Sequence, residues 1–140
     1  MKYVNKTLLL TEIFKRVAEQ PTVEEKINLL REYDRKDVRW VADFMYNADT
    51  QGLTIPEYKK SNYVDGMSYM TIVTAIGKLQ AALQYRNNPS VYNRNMTVVL
   101  ESLHADEAQL VEDIFQGKKI EGVSKKVFKR VYPHFFPESD

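Results

Sequence analysis

Apolar residues recur at the spacing of an α-helix through most of this chain of 140 residues. In residues 7–19, for example, Ile13, Phe14 and Val17 share one helical face and Glu12 lies off it. The same pattern covers residues 23–33, 34–47, 67–85, 91–103, 106–115 and 125–131. No segment shows the period-two alternation that is typical of a strand. We therefore predict an all-α fold of about six to seven helices in a single domain, residues 1–140.

Local signals mark where these helices begin and where they are interrupted. Thr22 and Glu25 have the spacing of a capping box at the second helix, and Asp34 is a candidate cap for the third. Residues 48–66 have no period, and connections of this length are usually functional or disordered. The tyrosines in and near this connection are Tyr58, Tyr63 and Tyr69. We interpret them as partly buried helix tyrosines, with stacking on nucleic-acid bases as the alternative.

Composition restricts the cellular setting and the chemistry available to the chain. There is no cysteine, so disulfides, thiolate metal sites and cysteine nucleophiles are excluded. No run of about 18 apolar residues is present, and residues 1–10 lack the apolar region and cleavage site of a secretory leader. We expect a soluble protein of the cytoplasm that is neither secreted nor inserted in a membrane.

Motifs of the common enzyme classes are missing. The phosphate loops GxGxxG and GxxxxGKS/T and the serine elbow GxSxG do not occur. Glu101 and His104 have the ExxH spacing of di-metal carboxylate bundles, but such bundles need the motif twice. We therefore predict no catalytic residue, metal site or cofactor, and interpret His104 as a surface or end-of-helix residue. The acidic residues that follow are Asp106, Glu107, Glu112 and Asp113. We interpret them as first-turn charges and a solvated face rather than an acid/base pair.

The net charge of +1 conceals one strongly basic segment. Residues 1–70 carry eleven cations and eleven anions, and residues 71–116 carry three cations and five anions. From Gly117 to His134, six cations accompany a single anion, Glu121. Positive charge that is concentrated in this way indicates a local site.

The basic segment has the elements of a phosphate-binding turn. Gly122 allows a tight turn, Ser124 is a favourable N-cap, and the first-turn amides of the helix that follows point outward at the positive end of its dipole. The cations of the segment are Lys118, Lys119, Lys125, Lys126, Lys129 and Arg130. They predict about four to six contacts with a phosphate backbone. On charge alone, a lysine-rich helix face exposed to water is the alternative.

The same residues carry a resemblance to a known family. Residues 118–138, KKIEGVSKKVFKRVYPHFFPE, resemble the end of the all-helical N-terminal DNA-binding domain of ATP-dependent DNA ligases, where a glycine turn precedes a short helix. The strings YP and FPE within them match the ending of the T-even phage type. Upstream, EEKINLLREYDRKDVRWVADFMYNAD resembles an early region of that domain. The whole chain, including LESLHADEAQLVEDIF, resembles a family of small uncharacterised proteins of T-even-like phages.

The resemblance implies that the turn and the short helix approach the minor groove and the phosphates around a nick in DNA. The residues to which it assigns this role are Gly122, Ser124, Lys125 and Lys126, flanked by Lys118 and Lys119. It does not imply catalysis, because the KxDG motif of ligases is absent. The nearest string, residues 63–66, has a tyrosine in place of the lysine.

Together these features favour a non-catalytic phage accessory protein that binds duplex DNA, intact or nicked, through backbone phosphates during replication or repair in an infected bacterial cell. Phosphate contacts position a protein without specifying a base sequence, so we expect little sequence preference. The alternative is a protein-interaction module or inhibitor that binds a phage replication protein or a host enzyme and no DNA. Its contact points would be Leu53, Ile55 and Tyr58 of the long connection.

Overall fold

The structure is a computed structural model that describes residues 8–60 and 70–137. Its helices are α1 (Leu10–Ala18), α2 (Val23–Glu32), α3 (Lys36–Asn47), α4 (Ile72–Leu83), α5 (Pro89–Ser102), α6 (Ala105–Phe115) and α7 (Lys125–Val131). A 3₁₀ turn, Pro133–Phe135, follows α7. These two ranges contain no β-strand, and the predicted all-α class is confirmed. None of the helices within them is long and apolar enough to cross a membrane.

The limits of the helices agree closely with the apolar periodicity. α7 spans the predicted residues, and α5 and α6 each begin slightly earlier than the pattern indicated. α4 begins at Ile72 rather than at residue 67, because Thr71 is its N-cap and accepts the amide of Thr74 at 3.4 Å. The predicted helical residues 67–69 lie outside the described part of the chain.

Contacts divide the chain into two units. The first unit is Met1–Asp49 with Lys119–Asp140, and the second is Thr50–Lys118. α1, α2, α3, α7 and the 3₁₀ turn belong to the first unit, and α4, α5 and α6 belong to the second. The basic segment is therefore divided between the units after Lys118.

Within the first unit, α7 packs against the other elements through its apolar side. α2 packs against α1 and α7, and the 3₁₀ turn packs against α3 and α7. Phe14 of α1 meets Phe128 of α7 edge to face, with ring centroids 6.0 Å apart. Buried residues near α7 in sequence are Val123, Val127, Phe128, Tyr132 and Phe136. Because these side chains are buried in the core, the cations between them are directed away from it.

Polar contacts fix the starts of α2 and α3. Thr22 caps α2 as predicted, since its hydroxyl oxygen accepts the amide of Glu25 at 3.1 Å. At α3, the Asp37 carboxylate is 2% exposed, accepts the amide of Val38 at 2.9 Å and pairs with Arg35 at 2.7 Å. A carboxylate in the first turn also interacts favourably with the positive end of the helix dipole.

The prediction that Asp34 caps α3 was wrong. The N-cap is Arg35, and no side chain caps the helix there. The Asp34 carboxylate instead accepts the Tyr132 hydroxyl at 2.9 Å and pairs with Arg39 at 2.8 Å. Burial and then this hydrogen bond raise the pKa of Tyr132. A partner distant in sequence has thus replaced the local capping bond.

Residues 50–60 of the second unit, termed the strap, have no helical structure but are fixed in place by hydrogen bonds. These bonds run from Arg86 to the Gln51 carbonyl, from Tyr92 to the Thr54 carbonyl and from the Lys59 amide to Glu101, at 3.0, 2.8 and 2.8 Å. They supply partners for backbone groups that have no helix or sheet to join. Residues 48–60 of the predicted long connection are therefore non-helical, as expected, and residues 61–66 lie outside the described residues.

Candidate nucleic-acid interface

The turn that precedes α7 packs tightly against α1. Gly122 has a φ of +83°, in the left-handed region that favours glycine. A Cβ at this position would lie 2.6 Å from the Ala18 Cβ, so a larger residue does not fit without a shift. The Gly122 carbonyl accepts a hydrogen bond from Lys26 Nζ at 2.7 Å. The close approach of the chain to α1 is a structural reason for this glycine that the sequence did not reveal.

α7 has an apolar side and a basic side. Val127 and Phe128 form the apolar side and are fully buried. The basic side consists of Lys125, Lys126, Lys129 and Arg130, of which Lys129 is half-buried and the others are exposed. Four of the predicted binding residues therefore share one side of α7.

The start of α7 differs in one respect from the prediction. Ser124 occupies the N-cap position, but its side chain makes no capping hydrogen bond. Its carbonyl accepts the amide of Val127 at 3.0 Å, which closes a tight first turn. Because α7 has only seven residues, we assign any anion binding to the lysine and arginine side chains and not to the helix terminus.

Two of the predicted lysines lie over aromatic rings. Lys119 Nζ is 5.5 Å from the centroid of the Tyr46 ring, and Lys125 Nζ is 5.8 Å from that of Phe136. Burial raises the pKa of the Tyr46 hydroxyl, so this ring remains neutral at physiological pH. Both distances fall within the range of cation–π contacts.

Two cations of α2 adjoin the basic segment, and the sequence analysis missed them. Lys26 donates to the Gly122 carbonyl before α7, and Arg31 Nη2 donates to the Arg130 carbonyl near its end, at 3.3 Å. Lys26 directly precedes the buried Ile27, and Arg31 directly follows the buried Leu30. Their positions next to the inward-facing residues of α2 were the signal available in the sequence. Positive charge near α7 therefore comes from two packed helices.

One acidic residue of α2 also reaches α7. Glu24 Oε2 lies 3.3 Å from Arg130 Nη1, and both side chains are largely exposed. Exposed ion pairs of this kind contribute about 0–1 kcal/mol. A phosphate oxygen can therefore replace Glu24 as the partner of Arg130 at little energetic cost.

The cations of the first unit that surround α7 are termed the basic surface. They are Lys26, Arg31, Lys119, Lys125, Lys126, Lys129 and Arg130. The structure does not group Lys118 with them, because Lys118 belongs to the second unit. There its Nζ lies 3.8 Å from the Asp113 carboxylate.

The second unit contains an open cleft of about 560 Å³ between the strap and α6. Ile55 and Tyr58, two predicted contact points of the alternative function, line this cleft, and the third, Leu53, is half-buried outside its lining. The Tyr58 hydroxyl donates to Glu112 Oε1 at 2.9 Å. Burial, followed by this bond, raises the pKa of Tyr58. Tyr58 is half-buried, as predicted, but it lies in the strap and not in a helix, and Tyr63 and Tyr69 lie outside the described residues.

The acidic residues of α6 were only partly predicted. Glu107 lies in the first turn of α6, as predicted, but it is 3% exposed, so its interpretation as part of a solvated face was wrong. Glu107 lies at helical spacing from Leu110 and Val111, on the side of α6 that faces the core. Asp106 is exposed in the first turn, as expected.

The ExxH pair is separated by a helix boundary. α5 ends at Ser102, and His104 is the N-cap of α6, where its Nδ1 accepts the amide of Asp106 at 3.1 Å. Glu101 accepts the amide of Lys59. The interpretation of His104 as an end-of-helix residue is confirmed. In residues 8–60 and 70–137, no three histidine or acidic side chains form a group that could hold a metal ion.

No family model, curated protein or solved structure matches this chain. The resemblance to the ligase domain and to small phage proteins stays a prediction, and the function has to be inferred from the residues themselves.

Proposed function

We propose that this chain is a non-catalytic accessory protein of a T-even-like phage that binds duplex DNA, intact or nicked, through its backbone phosphates in replication or repair. The observation that carries the proposal is the basic surface, which joins the charged side of α7 to cations of α2. Six of its seven members lie on the packed helices α2 and α7, and Lys119 precedes the turn before α7, so the charges can act together on one ligand.

Lysines without acidic partners are the strongest support for a phosphate ligand. Lys125 and Lys126 are exposed and make no ion pair with a carboxylate in the described part of the chain. Duplex DNA carries one negative charge per about 1.7 Å of its axis, with condensed counterions that bound lysines release. Lysine binds phosphate as a point charge and needs no fixed hydrogen-bond geometry.

The side chains of α7 support contact with the backbone rather than with base edges. Adenine is read mainly by asparagine or glutamine, and guanine by arginine or lysine. α7 has no asparagine or glutamine, and its one arginine, Arg130, pairs with Glu24. The helix is about 10 Å long, so it spans only a few phosphates. We infer a protein that is positioned on DNA by charge and has little sequence preference.

The resemblance supports nicked duplex as one substrate. It includes the turn and the short helix but not the adenylated lysine of ligases. The proposed role is therefore to occupy or mark DNA on which another protein acts.

Binding to duplexes of unrelated sequence tests the proposal. Two intact duplexes of equal length and a nicked version of one are titrated with the protein at about 50 mM salt. We expect affinities for the two intact sequences within about threefold of each other, because phosphate contacts carry no sequence information. A preference above about tenfold for one sequence would show base readout and contradict the proposal.

The same titration discriminates the alternative function. If no duplex binds at about 50 mM salt, the lysines are a solvated face and the proposal fails. The cleft between the strap and α6 then becomes the better candidate site, with Ile55 and Tyr58 as contacts for a protein partner.

A further inference from the structure

Three aromatic residues form a cluster beside the basic surface. Tyr46 of α3 lies between Phe128 of α7 and Phe136, with ring centroids 5.8 and 5.1 Å away. Phe128 is fully buried and Phe136 is 9% exposed. The rings therefore form a fixed part of the core with its edge at the surface.

The two lysines that lie over this cluster contact neighbouring rings. Lys119 lies over Tyr46, and Lys125 lies over Phe136. Lys119 precedes the Gly122 turn, and Lys125 begins α7 after it. Because the chain reverses direction at this turn, both ammonium groups lie near the neighbouring rings of Tyr46 and Phe136. The described residues contain no such ring for Lys126, although it follows Lys125 directly and is also exposed.

We propose that Tyr46 and Phe136 are positioning residues that hold the Lys119 and Lys125 ammonium groups as a two-lysine phosphate site. This inference rests on the proposed DNA-binding function and assigns it a specific centre. A free lysine loses rotamer freedom when it binds a phosphate, whereas a lysine already held over a ring has lost part of it beforehand. An ammonium group has three donors, so Lys125 can donate to a phosphate oxygen while it lies over its ring.

The same contacts favour a phosphate over a base as the ligand. A base that stacks on Tyr46 or Phe136 needs an open ring face. Lysines lie over both rings, and Phe136 is almost entirely buried. The cluster therefore supports cations that bind the backbone and is not a stacking platform for unpaired bases.

Single alanine substitutions of three lysines test the inference. Lys119→Ala, Lys125→Ala and Lys126→Ala each remove one charge from the same surface. We expect the first two to weaken duplex binding at least about threefold more than Lys126→Ala, because they remove pre-positioned cations. Equal losses for all three variants, with wild-type binding intact, would overturn the inference and leave the proposed function standing. If the wild-type protein binds no DNA, the proposed function and this inference fail together.

A double-substitution cycle separates positioning from a structural effect. Tyr46→Leu is expected to weaken binding in the wild-type background and to have no further effect on Lys119→Ala. A Tyr46→Leu loss that persists undiminished in Lys119→Ala would show that the ring acts through the fold, and it would overturn the inference.

Nuclear magnetic resonance of the lysine side chains gives a readout that needs no DNA. Ring currents should shift the ε-methylene protons of Lys119 and Lys125 upfield, and those of Lys126 should resonate at the usual position. Tyr46→Leu should return the Lys119 signal alone to that position. Identical signals from the three lysines in the wild-type protein would overturn the inference.

Discussion

Replacing Lys125 and Lys126 together with glutamate is expected to reduce duplex affinity on the order of a hundredfold. The change removes two exposed cations from the basic surface and places two anions against the DNA backbone. The slope of log affinity against log salt is negative, and the change should make it shallower by about two units, one for each lost phosphate contact. Fluorescence anisotropy of labelled duplex, repeated over several salt concentrations, measures both quantities.

The loss should occur without unfolding. Lys125 and Lys126 lie in the first turn of α7, where acidic residues interact favourably with the helix dipole. The matched control is Lys36→Glu with Lys78→Glu, which changes the net charge equally at exposed positions of α3 and α4. We expect the control to bind within about threefold of wild type. Equal losses in both double variants would show that binding follows net charge alone, and would contradict a local site.

Gly122→Ala is expected to lower the free energy of unfolding by about 2–5 kcal/mol. About 1–2 kcal/mol comes from placing a Cβ in the left-handed region, and about 1–3 kcal/mol comes from overpacking against α1. The overpacking arises because the new Cβ would lie 2.6 Å from the Ala18 Cβ. Urea unfolding followed by circular dichroism measures the change.

Two other substitutions separate these contributions. Gly52 has a similar φ, +80°, with no atom within 4 Å of a Cβ, so Gly52→Ala should show the backbone contribution alone. Adding Ala18→Gly to Gly122→Ala should recover part of the loss, since it removes the atom that the new Cβ meets. If Gly122→Ala unfolds no more easily than Gly52→Ala, the contact with α1 is not the reason for this glycine.

The helices could be predicted from the sequence because their signals are local. α7 begins and ends at the predicted residues, and Thr22 caps α2 through a residue three positions away. The cap of α3 was mispredicted because Asp34 pairs with Tyr132, which is 98 residues distant. Periodicity determines which residues face inward on one helix, but it contains no information about which helix lies opposite.

The basic surface, too, could be predicted only as far as its residues are neighbours in sequence. The run of cations around α7 was evident from charge counting, and the structure places the four that belong to α7 on one side of it. Lys26 and Arg31 could not be assigned, because their positions beside α7 depend on the packing of α2. Nor could the sequence show that Lys119 and Lys125 lie over neighbouring rings, since Tyr46 belongs to α3, which is distant from both lysines in sequence.

Salt-dependent binding of the wild-type protein to intact, nicked and single-stranded DNA tests the central proposal most directly. Anisotropy is measured from about 50 to about 200 mM salt. Four to six phosphate contacts predict a slope between about −3 and −6 on duplex DNA, with intact and nicked duplex both bound more tightly than the single strand. Absence of duplex binding at about 50 mM salt, or binding that does not change with salt, would contradict a phosphate-binding surface around α7.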